Sequence, residues 1–267
     1  MKIVRLMGGL GNQMFQYAFG VLLGSDTKYD VSWFDEIRGN TNVTQREYEL
    51  GFWNITPVLV QNTKIFGIIK RRKYVENPCN VYNAELLKIK NGVFEGYFQV
   101  ADYYESVRDR LLQDFVPREK PNAANQKILD LINRTNSVSL HVRRGDYVKL
   151  QRIYGLCDLG YYLRAIEFIS THTGNPHFFI FSDDTQWVID NLKLDFPYTI
   201  VDINHGIDSA WDIWLMAQCR HNIIANSSFS WWGAWLNQNP DKIVVAPKLW
   251  KANGARVDNI PSAWTRI

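Results

Sequence analysis

The chain has 267 residues, 46% of them hydrophobic, which is ample for a core and suits one large domain or two small ones. A formal charge of +3 is too mild to point to nucleic acid, and no stretch approaches the ~20 apolar residues of a membrane span. Cys79, Cys157 and Cys219 are too few and too widely spaced for a disulfide framework or a metal-ligand pattern, so a reducing, cytoplasmic setting is expected.

The first elements read in order. Ile3–Met7 is an apolar strand, Gly8–Gln13 a turn and Met14–Leu23 a helix. Lys2 and Arg5 precede the glycines, which interrupt any signal-peptide core. Asp30–Phe34 reads as a second strand. From residue 36 to 92 the periodicity fades and no element is placed. That stretch holds Lys70-Arg71-Arg72-Lys73 after Ile65-Phe66-Gly67-Ile68-Ile69. Such an amphipathic edge suits peripheral contact with an anionic membrane face, and equally a solvated helix end. Ala101–Phe115 and Asn125–Arg134 read as helices, with a boundary at Val116–Gln126 where Pro117 and Pro121 break the pattern.

The second half alternates regularly. The expected strands are Val138–Val142, Phe178–Ser182, Tyr198–Ile203, Asn222–Ala225 and Ile243–Val245. Between them lie the expected helices Asp158–His172, Thr185–Leu194, Asp208–Cys219 and Phe229–Leu236. Continuous apolar strands alternating with helices indicate parallel sheets covered on both faces. The expected architecture is therefore α/β, with two Rossmann-like domains, residues 1–120 and 121–267, and a cleft between them.

The unusual residues all follow strands. They are Gly8–Gln13, the segment His141-Val142-Arg143-Arg144-Gly145-Asp146-Tyr147, Ser182-Asp183-Asp184, and Asn226-Ser227-Ser228-Phe229-Ser230. In a parallel sheet the carboxyl ends of the strands share one edge, and ligands bind outside that edge. A guanidinium matches phosphate oxygens two at a time, at about 1.5–3 kcal/mol per charge-assisted bond. Arg143 and Arg144 thus suit a diphosphate, or pair with Asp146 to cap a strand. Gly8, Gly9 and Gly11 let backbone amides approach a ligand, and Asn12 and Gln13 add donors. Ser227 and Ser228 open a helix, where free amides favour an anion, although Ser228 also suits an ordinary N-cap. Asp183 or Asp184 suits guanine amines or a second N-cap. Trp231, Trp232 and Trp235 read mainly as core. An aromatic content of 14% fits sugar stacking or core filling alike.

Together with Gly96-Tyr97-Phe98-Gln99, these motifs resemble the bacterial α-1,2-fucosyltransferases of glycosyltransferase family 11, in order and across nearly the whole chain. The resemblance implies a GT-B fold and metal-independent, inverting transfer of L-fucose from GDP-β-L-fucose to a terminal β-galactoside of a glycan. The C-terminal domain would bind the GDP-sugar and the N-terminal domain would face the acceptor. The resemblance further implies Arg143 at the β-phosphate, His141 and Arg144 supporting the nucleotide site, and Asp183 near guanine. Ser227, Ser228 and Phe229 would lie around the diphosphate, with Gly9, Gly11 and Gln13 in the donor loop and Asn12 at the reacting centre. In α-1,6 relatives an acidic base stands ten residues after the motif histidine, where this chain has Gln151. Asp146 is the nearest acidic candidate for the base, with Glu95 and Asp35 as substitutes. A different nucleotide-sugar on the same scaffold, or a non-catalytic glycan-binding protein, are the alternatives.

Overall fold

The computed structural model describes residues 1–41, 43–61, 72–145 and 155–267. These form two compact units, Met1–Arg118 with Arg256–Pro261, and Glu119–Ala255 with Ser262–Ile267. Among the described residues no helix is long and apolar enough to cross a membrane.

The first unit is a parallel sheet of order β3-β2-β1-β5-β4, made of β1 (Lys2–Arg5), β2 (Lys28–Asp30), β3 (Leu59–Val60), β4 (Lys73–Val75) and β5 (Gly92–Glu95). Helix α1 (Leu10–Leu23) lacks proline and carries a β-branched residue only near its end; Gly11 and Gly20 are poor helix formers, and packing of its apolar face holds it. Its buried face includes Met14, Phe15, Ala18 and Phe19. Phe19 stacks on Phe98 with ring centroids 3.9 Å apart. Burying an aromatic of this size contributes roughly 1.5–3 kcal/mol. A Cβ at Gly20 would lie 2.4 Å from the Tyr29 hydroxyl, so only glycine lets β2 close on the helix. The helix stops at Gly24 (φ 129°), whose N–H donates back to the carbonyls of Gly20 and Val21.

Three local expectations are corrected. Leu10–Gln13 form the first turn of α1 and are not a loop. Past Asp30 the chain turns, because the Asp30 carboxylate accepts from the Ser32 N–H (3.0 Å), and a short helix α2 (Ser32–Glu36) follows where a strand was expected. The segment 101–115 is broken into the 3₁₀ turns Ala101–Tyr103 and Glu105–Val107 and helix α3 (Arg108–Asp114).

The second unit is a parallel sheet of order β11-β10-β9-β6-β7-β8, comprising β6 (Asn136–Val142), β7 (Pro176–Ser182), β8 (Tyr198–Val201), β9 (His221–Ile223), β10 (Val244–Ala246) and β11 (Thr265–Arg266). Helices α4 (Ala123–Arg134), α5 (Leu159–His172), α6 (Thr185–Asn191), α7 (Ala210–Gln218) and α8 (Ser228–Leu236) complete it. On β6, Val138, Leu140 and Val142 line one core, while Ser137, Ser139 and His141 are buried on the opposite face. There Asn222 donates to Ser139 Oγ (2.7 Å), and Asn237 donates to Asn222 Oδ1 (2.8 Å). Both faces of this sheet are therefore covered, as its apolar runs require. Trp231, Trp232 and Trp235 are buried, consistent with a helix that is apolar all round. Gly233 serves close helix–helix approach, since its Cβ would lie 2.7 Å from Met216 Cβ of α7.

Candidate functional site

In the second unit, three of the singled-out segments meet at the carboxyl edge of the sheet. Parallel register pairs Val142 with Ser182, so the residues after β6 and β7 emerge side by side. Ser182 Oγ donates to the Val142 carbonyl (3.0 Å) and accepts from the Asp184 N–H (3.0 Å), which ties the two strand ends together. Asp183 then bridges the arginine segment with both oxygens. Its Oδ2 pairs with Arg143 Nη1 at 2.9 Å, and its Oδ1 accepts from the Arg144 N–H at 2.8 Å. Arg144 Nε pairs with Asp184 Oδ2 at 3.1 Å, and its guanidinium lies 4.3 Å above the Trp187 ring. Asp184 also caps α6 by accepting from the Trp187 N–H (3.1 Å).

The glycine between the arginines and Asp146 has a specific reason. A Cβ at Gly145 would lie 2.3 Å from Asp183 Oδ2, the oxygen that holds Arg143. Asp146 lies outside the described residues, and the carboxylates seen on the arginines are Asp183 and Asp184 of the neighbouring strand. Because both oxygens of Asp183 are engaged, a nucleobase amine would have to share or displace one of them.

His141 is buried and tilted against Phe229, with ring centroids 5.7 Å apart. Burial, and then the Arg143 charge, push its pKa down to about 3, so the imidazole is neutral. Its Nδ1 is buried without a hydrogen-bond partner among the described residues. At the start of α8 the N-cap is Ser227, not Ser228: Ser227 Oγ accepts from the Phe229 N–H (3.3 Å) and Ser228 is the first helical residue. Asn226 holds this turn by donating to the Trp250 carbonyl (3.2 Å).

The first unit carries a second cluster, after β1. Gly8 sits at φ +78°, and a Cβ there would meet Asn12 Nδ2 at 2.5 Å. Gly9 is the N-cap of α1, and Gly11 is buried in its first turn. Gln13 is fully buried and its carboxamide is occupied inside the fold. It donates to the carbonyls of Gly8 (3.0 Å) and Glu47 (2.8 Å) and accepts from the Glu49 N–H (2.9 Å). Gln13 thus holds the loop in shape and is no donor to a ligand. Gln99 Nε2 donates to Asn12 Oδ1 at 2.8 Å.

Two residues absent from the sequence reading also belong to this cluster. The Arg46 guanidinium carbon lies 3.7 Å from where a Gly9 Cβ would be. Burial raises the Glu49 carboxyl, while Arg46 and a hydrogen bond from the Leu10 N–H oppose that rise. Both come from the stretch without periodicity, so only their charges could have marked them. Of the substitute bases, Asp35 forms an exposed pair with Arg38 (2.9 Å). Burial alone would raise Glu95, but Lys73 (2.8 Å) and Arg5 (3.0 Å) hold it below the ordinary carboxylate value, which makes it a poor base.

All 267 positions match the family described as Glycosyl transferase family 11. The O-antigen biosynthesis glycosyltransferase WbnK of Escherichia coli is 32% identical over 308 residues, covering 98% of this chain and 99% of the relative. An alpha-1,2-colitosyltransferase of Escherichia coli is 33% identical over 288 residues, covering 99% and 98%. Galactoside alpha-(1,2)-fucosyltransferase 2 of Gorilla gorilla gorilla is 28% identical over 153 residues, covering 54% of this chain and 44% of that one. Among solved structures, NodZ alpha-1,6-fucosyltransferase soaked with GDP-fucose superposes with a TM-score of 0.52 at 13% identity, covering 88% of this chain and 92% of NodZ. That likeness is one of fold, a GT-B-like pair of parallel-sheet α/β domains. On the full-length match, this chain is an enzyme of glycosyltransferase family 11.

Proposed function

We propose that the enzyme transfers L-fucose from GDP-β-L-fucose to the 2-hydroxyl of a terminal β-galactoside, with inversion and without a metal ion. The observation that carries this reading is Arg143, held by Asp183 at the carboxyl edge of the second sheet. As the bond from the anomeric carbon to the phosphate oxygen breaks, negative charge grows on the β-phosphate and the sugar becomes oxocarbenium-like. A guanidinium held in place beforehand stabilises that charge more in the transition state than in the ground state. Arg144 and the neutral His141 support the nucleotide, and Asp183 meets the guanine after exchanging part of its present pairing. The amides at the start of α8, at Ser227, Ser228 and Phe229, suit the diphosphate.

The loop of the first unit, with Gly9, Gly11 and Asn12, serves the sugar and acceptor, and Asn12 works at the reacting centre. The acceptor hydroxyl attacks from the opposite face and gives its proton to a carboxylate, for which Asp146 is the candidate. An Asp146→Asn variant is expected to lose the acidic limb of the pH–rate profile, and a surviving limb removes Asp146 from that role. Cys79, Cys157 and Cys219 are not joined in disulfides, which fits a reducing cytoplasm, where the acceptor is a lipid-linked or polysaccharide precursor reached by peripheral membrane contact.

The relative named for colitose supports a second reading. Colitose is fucose without its 3-hydroxyl, so a related donor fits the same framework. A screen of GDP-fucose, GDP-colitose and UDP-galactose against β-galactosides, with EDTA present, separates the two. The first reading expects turnover with GDP-fucose and a product linked through the galactose 2-hydroxyl. Preference for GDP-colitose, another linkage, or arrest by EDTA overturns the corresponding part.

A further inference from the structure

The motif Gly96-Tyr97-Phe98-Gln99 has no part in the chemistry above, yet it is built with unusual care. It follows β5, and its backbone is gathered by one carboxylate. Glu76 is buried, and its Oε2 accepts from the N–H groups of Tyr97 (2.8 Å) and Phe98 (3.0 Å). Its Oε1 accepts from the Asn80 N–H (2.9 Å). Phe98 (φ +52°) and Asn80 (φ +65°) are both non-glycine residues in the left-handed region, a conformation that persists only when its surroundings impose it. Gly96 is required beside them, because its Cβ would lie 2.4 Å from Glu76 Cβ.

This clamp delivers a chain of amides running in one direction. Asn80 Nδ2 donates to Gln99 Oε1 (3.3 Å), and Gln99 Nε2 donates to Asn12 Oδ1 (2.8 Å). Asn80 and Gln99 are both buried. With its oxygen committed to Asn80, Gln99 can present only its NH₂ group to Asn12. Asn12 must then present its oxygen to Gln99, which turns Nδ2 over Gly8. The loop has independent anchors, since Phe98 stacks on Phe19 and the Phe98 carbonyl accepts from the Tyr104 hydroxyl. Holding the loop therefore does not require the Gln99 amide, and that amide donates directly to Asn12 Oδ1.

We propose that Gln99 is a positioning residue that fixes which edge of the Asn12 carboxamide faces the reacting sugar, with Glu76 and Asn80 holding Gln99 in turn. This rests on the reading that Asn12 works at the reacting centre. Gln99 keeps Asn12 a donor there, and an Asn12 turned over would present an acceptor.

Two replacements at one position test this. Ionised, the carboxylate of Gln99→Glu can only accept, so Asn12 must turn over to meet it. Gln99→Met fills similar space and removes the N–H that donates to Asn12 Oδ1. Gln99→Glu is expected to lower kcat by about tenfold or more, with Gln99→Met intermediate and the GDP-sugar KM within about twofold of the parent. In an Asn12→Ala background both replacements are expected to change kcat by less than about twofold, because Gln99 then has nothing to orient. Losses that multiply in the double variants, or a parental kcat in Gln99→Met, overturn the proposal. Should Gln99→Glu fail to fold, Gln99→Met and its double variant decide alone.

If the parent turns over no GDP-sugar, the functional reading fails separately. The side-chain amide resonance of Asn12, assigned by its loss in Asn12→Ala, then decides the positioning. It is expected to move in Gln99→Met, and an unmoved resonance overturns the proposal.

Discussion

The two loop clusters are built from opposite chemistry. After β1 the buried loop is held by neutral amides, with the charged Arg46 and Glu49 beside them: Gln13 ties the carbonyls of Gly8 and Glu47, and Gln16 joins the Met7 N–H to the Gly96 carbonyl (2.9 and 3.0 Å). After β6 and β7 it relies on two ion pairs, Arg143 with Asp183 and Arg144 with Asp184, whose side chains are a fifth to a third exposed. An amide network has no charge to trade and keeps one geometry across pH and salt. A partly exposed ion pair adds only about 0–1 kcal/mol to stability, and its carboxylate can be replaced by another anion. One cluster is made to hold shape and the other to exchange partners. Breaking the buried Gln13 contacts of the first should therefore cost the fold, and breaking the ion pairs of the second should cost the chemistry.

The largest effect is expected at the second cluster. Arg143→Ala should lower kcat about 10²–10³-fold, the scale for removing one group that stabilises a developing oxyanion. Asp183 keeps its bond from the Arg144 N–H, so the thermal midpoint should stay near the parent's. Single-turnover kinetics beside a melting curve checks both halves, and a collapsed fold with partial activity would reverse the contrast. Gly145→Ala comes next. The new methyl group cannot coexist with Asp183 Oδ2 at 2.3 Å, so the carboxylate must leave Arg143. GDP affinity by calorimetry is expected to fall about tenfold, with little change in melting.

What could be read beforehand followed the same contrast. The continuous apolar run Phe178–Phe181 declares itself as a strand buried on both faces. The segment 36–92 did not, because β3 is two residues long and β4 is an edge strand of Lys, Tyr and Val, too short for any period. Arg143 stood out as a cation ending a buried strand, but its partner did not. Asp183 is 40 residues further on, and only the β6–β7 register brings the pair together. Ser227 rather than Ser228 as N-cap is a one-residue matter of backbone angle. Gln13 looked like a ligand donor because its type and place suited one, and only the path of the chain at Glu47 and Glu49 shows its amide occupied.

The first cluster gives the next prediction. Gln13→Ala leaves the Gly8 and Glu47 carbonyls and the Glu49 N–H without their partner, and opens a cavity in a fully buried position. A loss of about 2–4 kcal/mol is expected in denaturant unfolding, far above that of Arg143→Ala. Equal losses for the two variants would dissolve the distinction between a shape-holding and an exchanging cluster.

The smallest effect sharpens the rule by mixing its terms. In the second unit Asn204 donates to Asn125 (2.9 Å) and to Asp212 (2.7 Å), so an amide network ends on a mostly buried carboxyl. Burial first, and then the Asp202 charge, raise Asp212 to about 7 against the Asn204 hydrogen bond. Over the window from about pH 4 to about pH 7 the folded chain keeps a proton that the unfolded chain has released. Unfolding free energy must therefore fall as pH rises through that window, and stay lowest above it. Asp212→Asn keeps an oxygen for Asn204 and removes the titration. It should be more stable than the parent by about 1–3 kcal/mol at pH 8, with the gap closing below about pH 4. A pH-independent difference would mean that Asp212 acts by packing rather than by charge.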